Sequence, residues 1–226
     1  MKITDNIQML KIDSYHLTLL WDDDKNLVLV DAGLDKQHQQ LVDAIKSVGF
    51  DPGKITHIIF THQDGDHVGG GVGMMKIAPN AKVLAHKDEV PYIDGRKTPI
   101  KFQSSLENYE TYDQETKNQI DASKTLIANT RFPIQQELKD GDVLPICGGI
   151  EIIHTPGHTP GHICLYLQKS QIMVLGDAAN VEGNELVGFN PQYIQDMELA
   201  DKSIEKIRKY PMKGAIAYHG GFFKFD

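Results

Sequence analysis

Residues 61–67 read Thr61-His62-Gln63-Asp64-Gly65-Asp66-His67. They follow a largely apolar run, Ile55 to Phe60, which is typical of a buried β-strand. The heptapeptide holds four metal-binding side chains, because histidine nitrogens and aspartate oxygens are common ligands of zinc, iron and manganese. Gly65 lets the backbone bend, so that the two ligands before it can face one ion and the two after it another. The stretch is therefore typical of half of a two-metal site.

The same pattern, an apolar run followed by a metal-binding side chain, recurs later in the chain. The runs Ile150–Ile153, Ile172–Gly176 and Ala215–Tyr218 precede His158, Asp177 and His219. Ligands so far apart in the sequence can meet only within one folded unit. We therefore expect residues 1–226 to form a single domain.

In order and local sequence, these residues resemble the metallo-β-lactamase superfamily of metal-dependent hydrolases. The resemblance covers essentially the whole chain and implies an α/β fold, a four-layer αββα sandwich of two mixed β-sheets flanked by helices. It also implies two divalent ions as cofactors and catalytic roles for Asp66 and Asp177. The first ion would bind His62, Asp64 and His158, the second would bind Asp66, His67 and His219, and Asp177 would bridge them together with a hydroxide.

Position 64 departs from the family pattern, because the superfamily usually has a second histidine where this chain has Asp64. An aspartate oxygen lies as many bonds from the backbone as the near ring nitrogen of histidine, so ligation can survive. The centre would be neutral, whereas a histidine would leave one positive charge. An oxygen ligand also shifts selectivity toward iron or manganese. We expect zinc as the native metal, with iron or manganese also compatible.

Asp31 follows the apolar strand Leu27–Val30, at a turn where the superfamily often places an aspartate. Its carboxylate is predicted to orient a ligand histidine through the second ring nitrogen, and a helix or turn cap is the alternative. The remaining histidines are predicted to be structural or to support the ligands. They are His16, His38, His57, His86, His154 and His162.

Early in the chain, strands are predicted near residues 7–11, 16–21 and 26–30. Leu41, Ile45 and Val48 recur at helical spacing before Gly49, which predicts a helix ending there. The glycines at positions 69, 70, 71 and 73 complete neither glycine-rich phosphate-binding motif. Close packing at a helix start is predicted for them instead.

Residues 87–138 are the least regular stretch and are predicted to be an insertion that forms either a lid or wall over the metals or peripheral helices. A helix is predicted over residues 104–124. The aromatic residues of the insertion are predicted to form either the wall of the site or part of the core. They are Tyr92, Phe102, Tyr109, Tyr112 and Phe132. Tyr92 and Tyr109, together with Asn180, are the predicted substrate contacts. Asn180 stands where quorum-quenching lactonases, which the Gly176–Ala178 run resembles, place a tyrosine.

Composition excludes several classes of protein. The chain is 40% apolar and 24% charged, and its apolar runs fall short of the roughly 18 residues that span a membrane. The first residues lack a secretory signal, so a cytoplasmic protein is expected. Cys147 and Cys164 each lie in or beside an apolar, strand-like stretch and are predicted to be buried thiols.

The formal net charge of −8 disfavours a nucleic-acid partner, because phosphate binding needs clustered lysine and arginine. A small-molecule substrate is the expected partner, with no membrane. The oligomeric state stays open.

The predicted function is metal-dependent hydrolysis, in which the bridging hydroxide attacks an ester, thioester, lactone or amide carbonyl. An alternative is an iron-dependent oxidoreductase with a core like that of diiron oxygen and nitric-oxide reductases or sulfur dioxygenases. The diiron branch has a carboxylate at the position of Asp64, although this chain has no flavin module. A metal-binding protein without turnover is the third alternative.

Overall fold

The computed structural model describes residues 1–183 and 185–225, apart from the side chain at position 104. The first sheet has seven strands, which lie side by side in chain order. They are β1 (Lys2–Thr4), β2 (Ile7–Ile12), β3 (Tyr15–Trp21), β4 (Leu27–Val30), β5 (His57–Phe60), β6 (Lys82–His86) and β7 (Gln136–Leu138). Neighbours are antiparallel from β1 to β4 and parallel from β4 to β7. The carboxyl ends of β4, β5 and β6 therefore share one edge.

The second sheet has six strands in the order β15-β14-β11-β10-β9-β8, and a hairpin joins β12 to β13. Their bounds are β8 (Val143–Leu144), β9 (Ile150–His154), β10 (Ile163–Leu167), β11 (Ile172–Gly176), β12 (Ala179–Glu182), β13 (Glu185–Gly188), β14 (Gly214–Ala217) and β15 (Gly221–Lys224). Strands β11 and β14 are parallel, so the residues that follow them emerge together.

Seven α-helices accompany the sheets in the described part of the chain. They are α1 (His38–Ser47), α2 (Gly65–Val68), α3 (Gly71–Ile77), α4 (Val90–Ile93), α5 (Ile100–Glu107), α6 (Gln114–Asn129) and α7 (Met197–Ile207). Short 3₁₀ turns lie at residues 35–37, 52–54, 109–111 and 191–193.

Three apolar clusters separate four layers. The middle cluster joins the facing sides of the two sheets and includes Val30, Ile59 and Ile152. A second cluster packs Leu41 and Ile45 of α1 against the outer face of the first sheet. The third packs Ile204 and Ile207 of α7 against the second sheet. Because each sheet is covered on both faces, its central strands are apolar throughout. The αββα sandwich predicted from the sequence is confirmed.

The helix predicted over residues 104–124 is wrong in one respect, since two helices occupy this part of the chain. Helix α5 ends at Glu107 and α6 begins at Gln114. The Asp113 carboxylate accepts a hydrogen bond from Thr116 N at 2.8 Å and so caps the start of α6. This local cap begins a new helix within the stretch that was predicted to be one helix.

The glycines after the heptapeptide are needed for close packing, as predicted. A Cβ atom at Gly70 would lie 2.2 Å from the carbonyl oxygen of Ala32, and one at Gly71 would lie 2.6 Å from the ring of Phe132. Side chains at these positions would push α3 away from the first sheet.

Both cysteines, Cys147 and Cys164, are buried and free, as predicted. Within residues 1–183 and 185–225, none of the helices combines the length and the apolar character that a membrane crossing requires.

Candidate metal centre

The first cluster of metal-binding side chains forms where three strands end. The loop after β5 carries His62 and Asp64, the turn between β9 and β10 carries His158, and Asp177 follows β11. All four are buried, and one ligand atom from each lies within 4.8 Å of the others. Asp64 Oδ2 is 3.3 Å from His62 Nε2 and 3.0 Å from His158 Nε2. These atoms are close enough together to share one ion.

The second cluster lies beside the first and contains Asp66, His67 and His219. Asp66 and His67 belong to the short helix α2, whereas His219 follows β14. Asp66 Oδ2 is 3.8 Å from His67 Nε2 and 3.4 Å from His219 Nε2. Asp177 reaches this cluster too, because its Oδ1 is 3.5 Å from His67 Nε2. The structure thus brings all seven predicted ligands together.

Several atoms of these side chains are buried without a hydrogen-bond partner among the described residues. They include His62 Nε2, His67 Nε2 and Asp177 Oδ1. A buried polar atom without a partner is costly, and in native proteins such an atom usually has an ion or water to satisfy it. Mixed nitrogen and oxygen donors suit zinc, iron and manganese. The residues present therefore fit two divalent ions.

The charges in the centre attract cations. Burial alone would lower the pKa of His67, but the Asp31, Asp177 and Asp66 carboxylates outweigh it and raise that pKa well above its ordinary value. At His219, hydrogen bonds to Asp177 and Asp66 overcome burial and raise the pKa to about 9. The carboxylates thus stabilise positive charge on their neighbours, as they would on bound ions.

Asp31 lies directly behind His67. Its backbone is left-handed, with φ of 62°, and its side chain is buried. The carboxylate accepts hydrogen bonds from Thr61 N at 2.8 Å and from His67 Nδ1 at 2.9 Å. With Nδ1 engaged as a donor, Nε2 of His67 is left as the ligand atom facing the cluster.

We expect Asp31→Asn to weaken zinc binding at the second cluster about 10- to 100-fold, because the amide replaces the carboxylate that orients His67. Asparagine tolerates the left-handed backbone, so the fold should be kept. Competition with a chromophoric chelator measures the affinity. Asp13→Asn is the control, since Asp13 also has a positive φ, of 53°, but is exposed. Unchanged affinity in Asp31→Asn would remove Asp31 from the site.

Glu89 is a site residue that sequence reasoning missed. Its carboxylate is fully buried and accepts hydrogen bonds from Gln63 N at 2.8 Å, Gln63 Nε2 at 3.0 Å and Gly161 N at 2.7 Å. Gln63 lies between two ligands of the first loop, and Gly161 lies in the turn that carries His158. One carboxylate therefore ties both ligand loops together. Nothing in the local sequence around Glu89 indicates this contact.

Lys101 was also missed. It lies near the start of α5, and its ammonium group contacts Asp64 Oδ2 and lies 3.2 Å from His158 Nε2. Its position depends on how the insertion folds over the centre, for which the sequence around it contains no signal.

Two cavities adjoin the clusters, and Asp64, Asp66 and Lys101 line both. One, of about 350 Å³, has a largely apolar wall formed by the insertion: Tyr92, Ile93, Phe102, Leu126 and Ile127. The other, of about 450 Å³, is more polar and is lined also by Asp177, Asn180, Phe189, Asn190, Tyr193 and His219.

The structure places two of the three predicted substrate contacts at a cavity. Tyr92 lines the apolar cavity and Asn180 the polar one. Tyr109 belongs to neither set of lining residues, and its hydroxyl donates to Asp121 at 2.7 Å. Phe132 is buried core, with its ring centroid 5.0 Å from that of Phe60. We therefore do not retain Tyr109 as a contact.

A third group of candidate ligands lies outside the centre and contains His86, Asp88 and His154. The two imidazoles are stacked, with centroids 4.2 Å apart and planes only 10° from parallel. Metal bonds lie in the plane of an imidazole ring, so nearly parallel stacked rings cannot direct lone pairs at one ion. This group is better described as a stacked pair that joins the ends of β6 and β9.

A family model described as the metallo-beta-lactamase superfamily matches residues 13–220. The match covers most of the chain and includes all seven side chains of the two clusters. The chain therefore belongs to the metallo-β-lactamase superfamily.

Curated relatives include the probable metallo-hydrolase YflN of Bacillus subtilis (strain 168), which is 27% identical over 215 residues covering 86% of this chain and 75% of YflN. An N-acyl homoserine lactonase of a Bacillus species is 25% identical over 78% of this chain, which spans only 59% of the lactonase. The hydroxyacylglutathione hydrolase GloC of Haemophilus influenzae is 25% identical over 76% of this chain and 71% of GloC.

Solved structures share the fold. A metallo-β-lactamase family protein of Thermus thermophilus has a TM-score of 0.73 at 19% identity, covering 99% of this chain and 76% of that protein. BJP-1, a subclass B3 metallo-β-lactamase of Bradyrhizobium japonicum, has a TM-score of 0.67 at 18% identity, with coverage of 96% and 76%. Family, fold and the clustered ligands together support a metal-dependent hydrolase in general terms.

Proposed function

We propose that this protein is a hydrolase with two divalent ions, which cleaves an ester, thioester, lactone or amide bond of a small molecule. The position of Asp177 carries the proposal. Its Oδ2 is 3.5 Å from His158 Nε2 in the first cluster and 3.4 Å from His219 Nε2 in the second. A carboxylate between two donor sets is the arrangement that two neighbouring ions need.

In this proposal His62, Asp64 and His158 hold the first ion, Asp66, His67 and His219 hold the second, and Asp177 is shared. Zinc is the favoured metal, and iron or manganese would also suit the donors. When bound, the ions supply Lewis acidity and activate water for attack on a carbonyl.

The surrounding side chains keep the ligands in place and handle protons. Tyr218 donates from its hydroxyl to the carbonyl oxygen of Asp66, and its ring packs 3.8 Å from that of His67. The Asp66 side chain is 24% exposed, more than the other aspartates of the centre. We assign it the transfer of a proton to the leaving group.

The two cavities support a substrate with one apolar and one polar part. An acyl group would occupy the apolar cavity of the insertion, and residues 87–138 would act as its wall. The polar part would contact Asn180, which lines the polar cavity. The names of two relatives, an N-acyl homoserine lactonase and a hydroxyacylglutathione hydrolase, support this substrate class.

Iron-dependent redox chemistry is the second candidate, and Asp64 is the observation that favours it. A carboxylate at this position adds a hard oxygen ligand, which favours iron more than a third histidine would.

Metal analysis of protein purified without added metal, followed by hydrolysis assays on ester, thioester and lactone probes, separates these functions. We expect close to two zinc or manganese ions per chain, with turnover that a chelator abolishes and the same metal restores. Iron, with consumption of oxygen or nitric oxide and no hydrolysis, would instead support the redox function. Bound metal without any turnover would contradict both.

A further inference from the structure

Lys101 is held at the metal centre by a chain of hydrogen bonds from the ligand loop. The side-chain oxygen of Gln63 accepts a hydrogen bond from Ile100 N at 3.0 Å, at the first residue of α5. Gln63 is itself held by the buried carboxylate of Glu89. The start of α5 is thus attached to the residue between two metal-binding side chains, and Lys101 is the next residue along.

The Lys101 ammonium lies beside three groups. It contacts Asp64 Oδ2, lies 3.2 Å from His158 Nε2 and lies 5.3 Å from the ring centroid of Tyr193. The Lys101 side chain is 39% exposed, whereas that of Asp64 is only 10% exposed. The ammonium therefore enters the first cluster from the solvent side and meets a largely buried carboxylate.

The charges explain why a lysine suits this place. Asp64 carries one negative charge more than the neutral histidine usual at its position, and the Lys101 ammonium adds one positive charge in direct contact. An ammonium has no lone pair and cannot bind an ion, so His158 Nε2 can serve either the ion or Lys101. Asp64 can serve both, because a carboxylate has two oxygens with several lone pairs.

We propose that Lys101 is a positioning residue of the first cluster: its ammonium offsets the charge of Asp64, and the Asp64 and Lys101 pair takes the place of a neutral histidine ligand. The inference rests on the metal site of the proposed function, but not on its substrate. In the ion-free protein the ammonium stabilises the cluster of carboxylates. Binding of the ion displaces Lys101 from His158 and leaves its contact with Asp64.

The test is the zinc affinity of Lys101→Met, measured by competition with a chromophoric chelator. Methionine keeps a flexible apolar chain but removes the charge, so we expect zinc to bind about tenfold more tightly, since one nearby charge changes an ionic equilibrium by at least that factor. Lys101→Arg keeps the charge and should stay within about threefold of the original protein. Unchanged or weaker binding in Lys101→Met would overturn the proposal.

A matched control comes from the same insertion. Lys124 pairs with Asp121 at 3.1 Å and lies 4.5 Å from the ring centroid of Tyr109, and it does not belong to the lining residues of either cavity beside the clusters. Lys124→Met should leave zinc affinity unchanged. Circular dichroism of each variant checks that the fold is kept.

Asp64→His shows whether Lys101 acts through Asp64. With a neutral histidine at position 64 the ammonium loses its partner, so adding Lys101→Met should change zinc affinity by less than about threefold, within the spread expected of an unpaired surface charge. A tenfold change in this background as well would mean that Lys101 acts on the ion directly, which contradicts the pairing. Zinc affinity needs no substrate, so failure to find hydrolysis would leave this test intact.

Discussion

Replacing Asp177 with alanine is expected to lower kcat/KM about a thousandfold and to lower the metal content below the two ions per chain that the proposed function requires. Both clusters lose a buried oxygen donor at once, because Asp177 lies within 3.5 Å of His67, His158 and His219. Loss of roughly 4 kcal/mol of transition-state stabilisation corresponds to a decrease in kcat/KM of about a thousandfold. Elemental analysis and steady-state kinetics on the best probe substrate measure the two effects.

The exposed Asp23 is the control, since it lies in the turn after β3 and far along the chain from every ligand. Asp23→Ala should keep both the metal content and the rate. Two ions per chain and near-normal turnover in Asp177→Ala would exclude the shared role of Asp177, and with it the proposed centre.

Replacing Glu89 with alanine is expected to lower the free energy of unfolding of the ion-free protein by about 2–5 kcal/mol, because buried N–H groups of Gln63 and Gly161 lose their acceptor. Zinc affinity should fall as well, since both ligand loops are released. Glu89→Gln should lower the free energy of unfolding by less, because the amide keeps one acceptor oxygen. Some loss should remain, because the NH₂ group of the amide then faces an N–H donor. Urea unfolding followed by circular dichroism measures these differences.

Glu115 provides the matched comparison, because it is an exposed acid in the first turn of α6. Glu115→Ala should change the free energy of unfolding by no more than about 0.5 kcal/mol. A change this small in Glu89→Ala would mean that the buried carboxylate does not hold the loops together.

Much of the fold and of the candidate site could be predicted because the relevant signals are local. Apolar runs followed by histidine or aspartate mark strand ends, and the resemblance to the superfamily implies that these ends meet at one metal centre. The structure brings His62, His158, Asp177 and His219 together. That they bind metal stays a prediction until the ions are measured.

Predictions were weaker where the outcome depends on how the insertion packs. One helix was predicted over residues 104–124, but the cap at Asp113 begins a second helix, so that α5 and α6 occupy this stretch. Tyr109 and Phe132 are aromatic residues of the same insertion as Tyr92, yet of these three only Tyr92 lines a cavity beside the clusters. Residue type alone does not determine whether such a side chain lies in the core, on the surface or in a cavity. Tertiary packing decides its position.

The sequence by itself determined the superfamily, because the order and local sequence of the ligand motifs lie in short consecutive stretches. The resemblance to that superfamily then implied the layered sandwich and the grouping of the ligands. Only the tertiary structure decided which residues hold the ligand loops in place and which charge lies beside Asp64. Glu89 reaches two ligand loops 26 and 72 residues away, and Lys101 meets Asp64 and His158 across 37 and 57 residues. Contacts over such separations depend on the packing of whole elements, so no local pattern could reveal them.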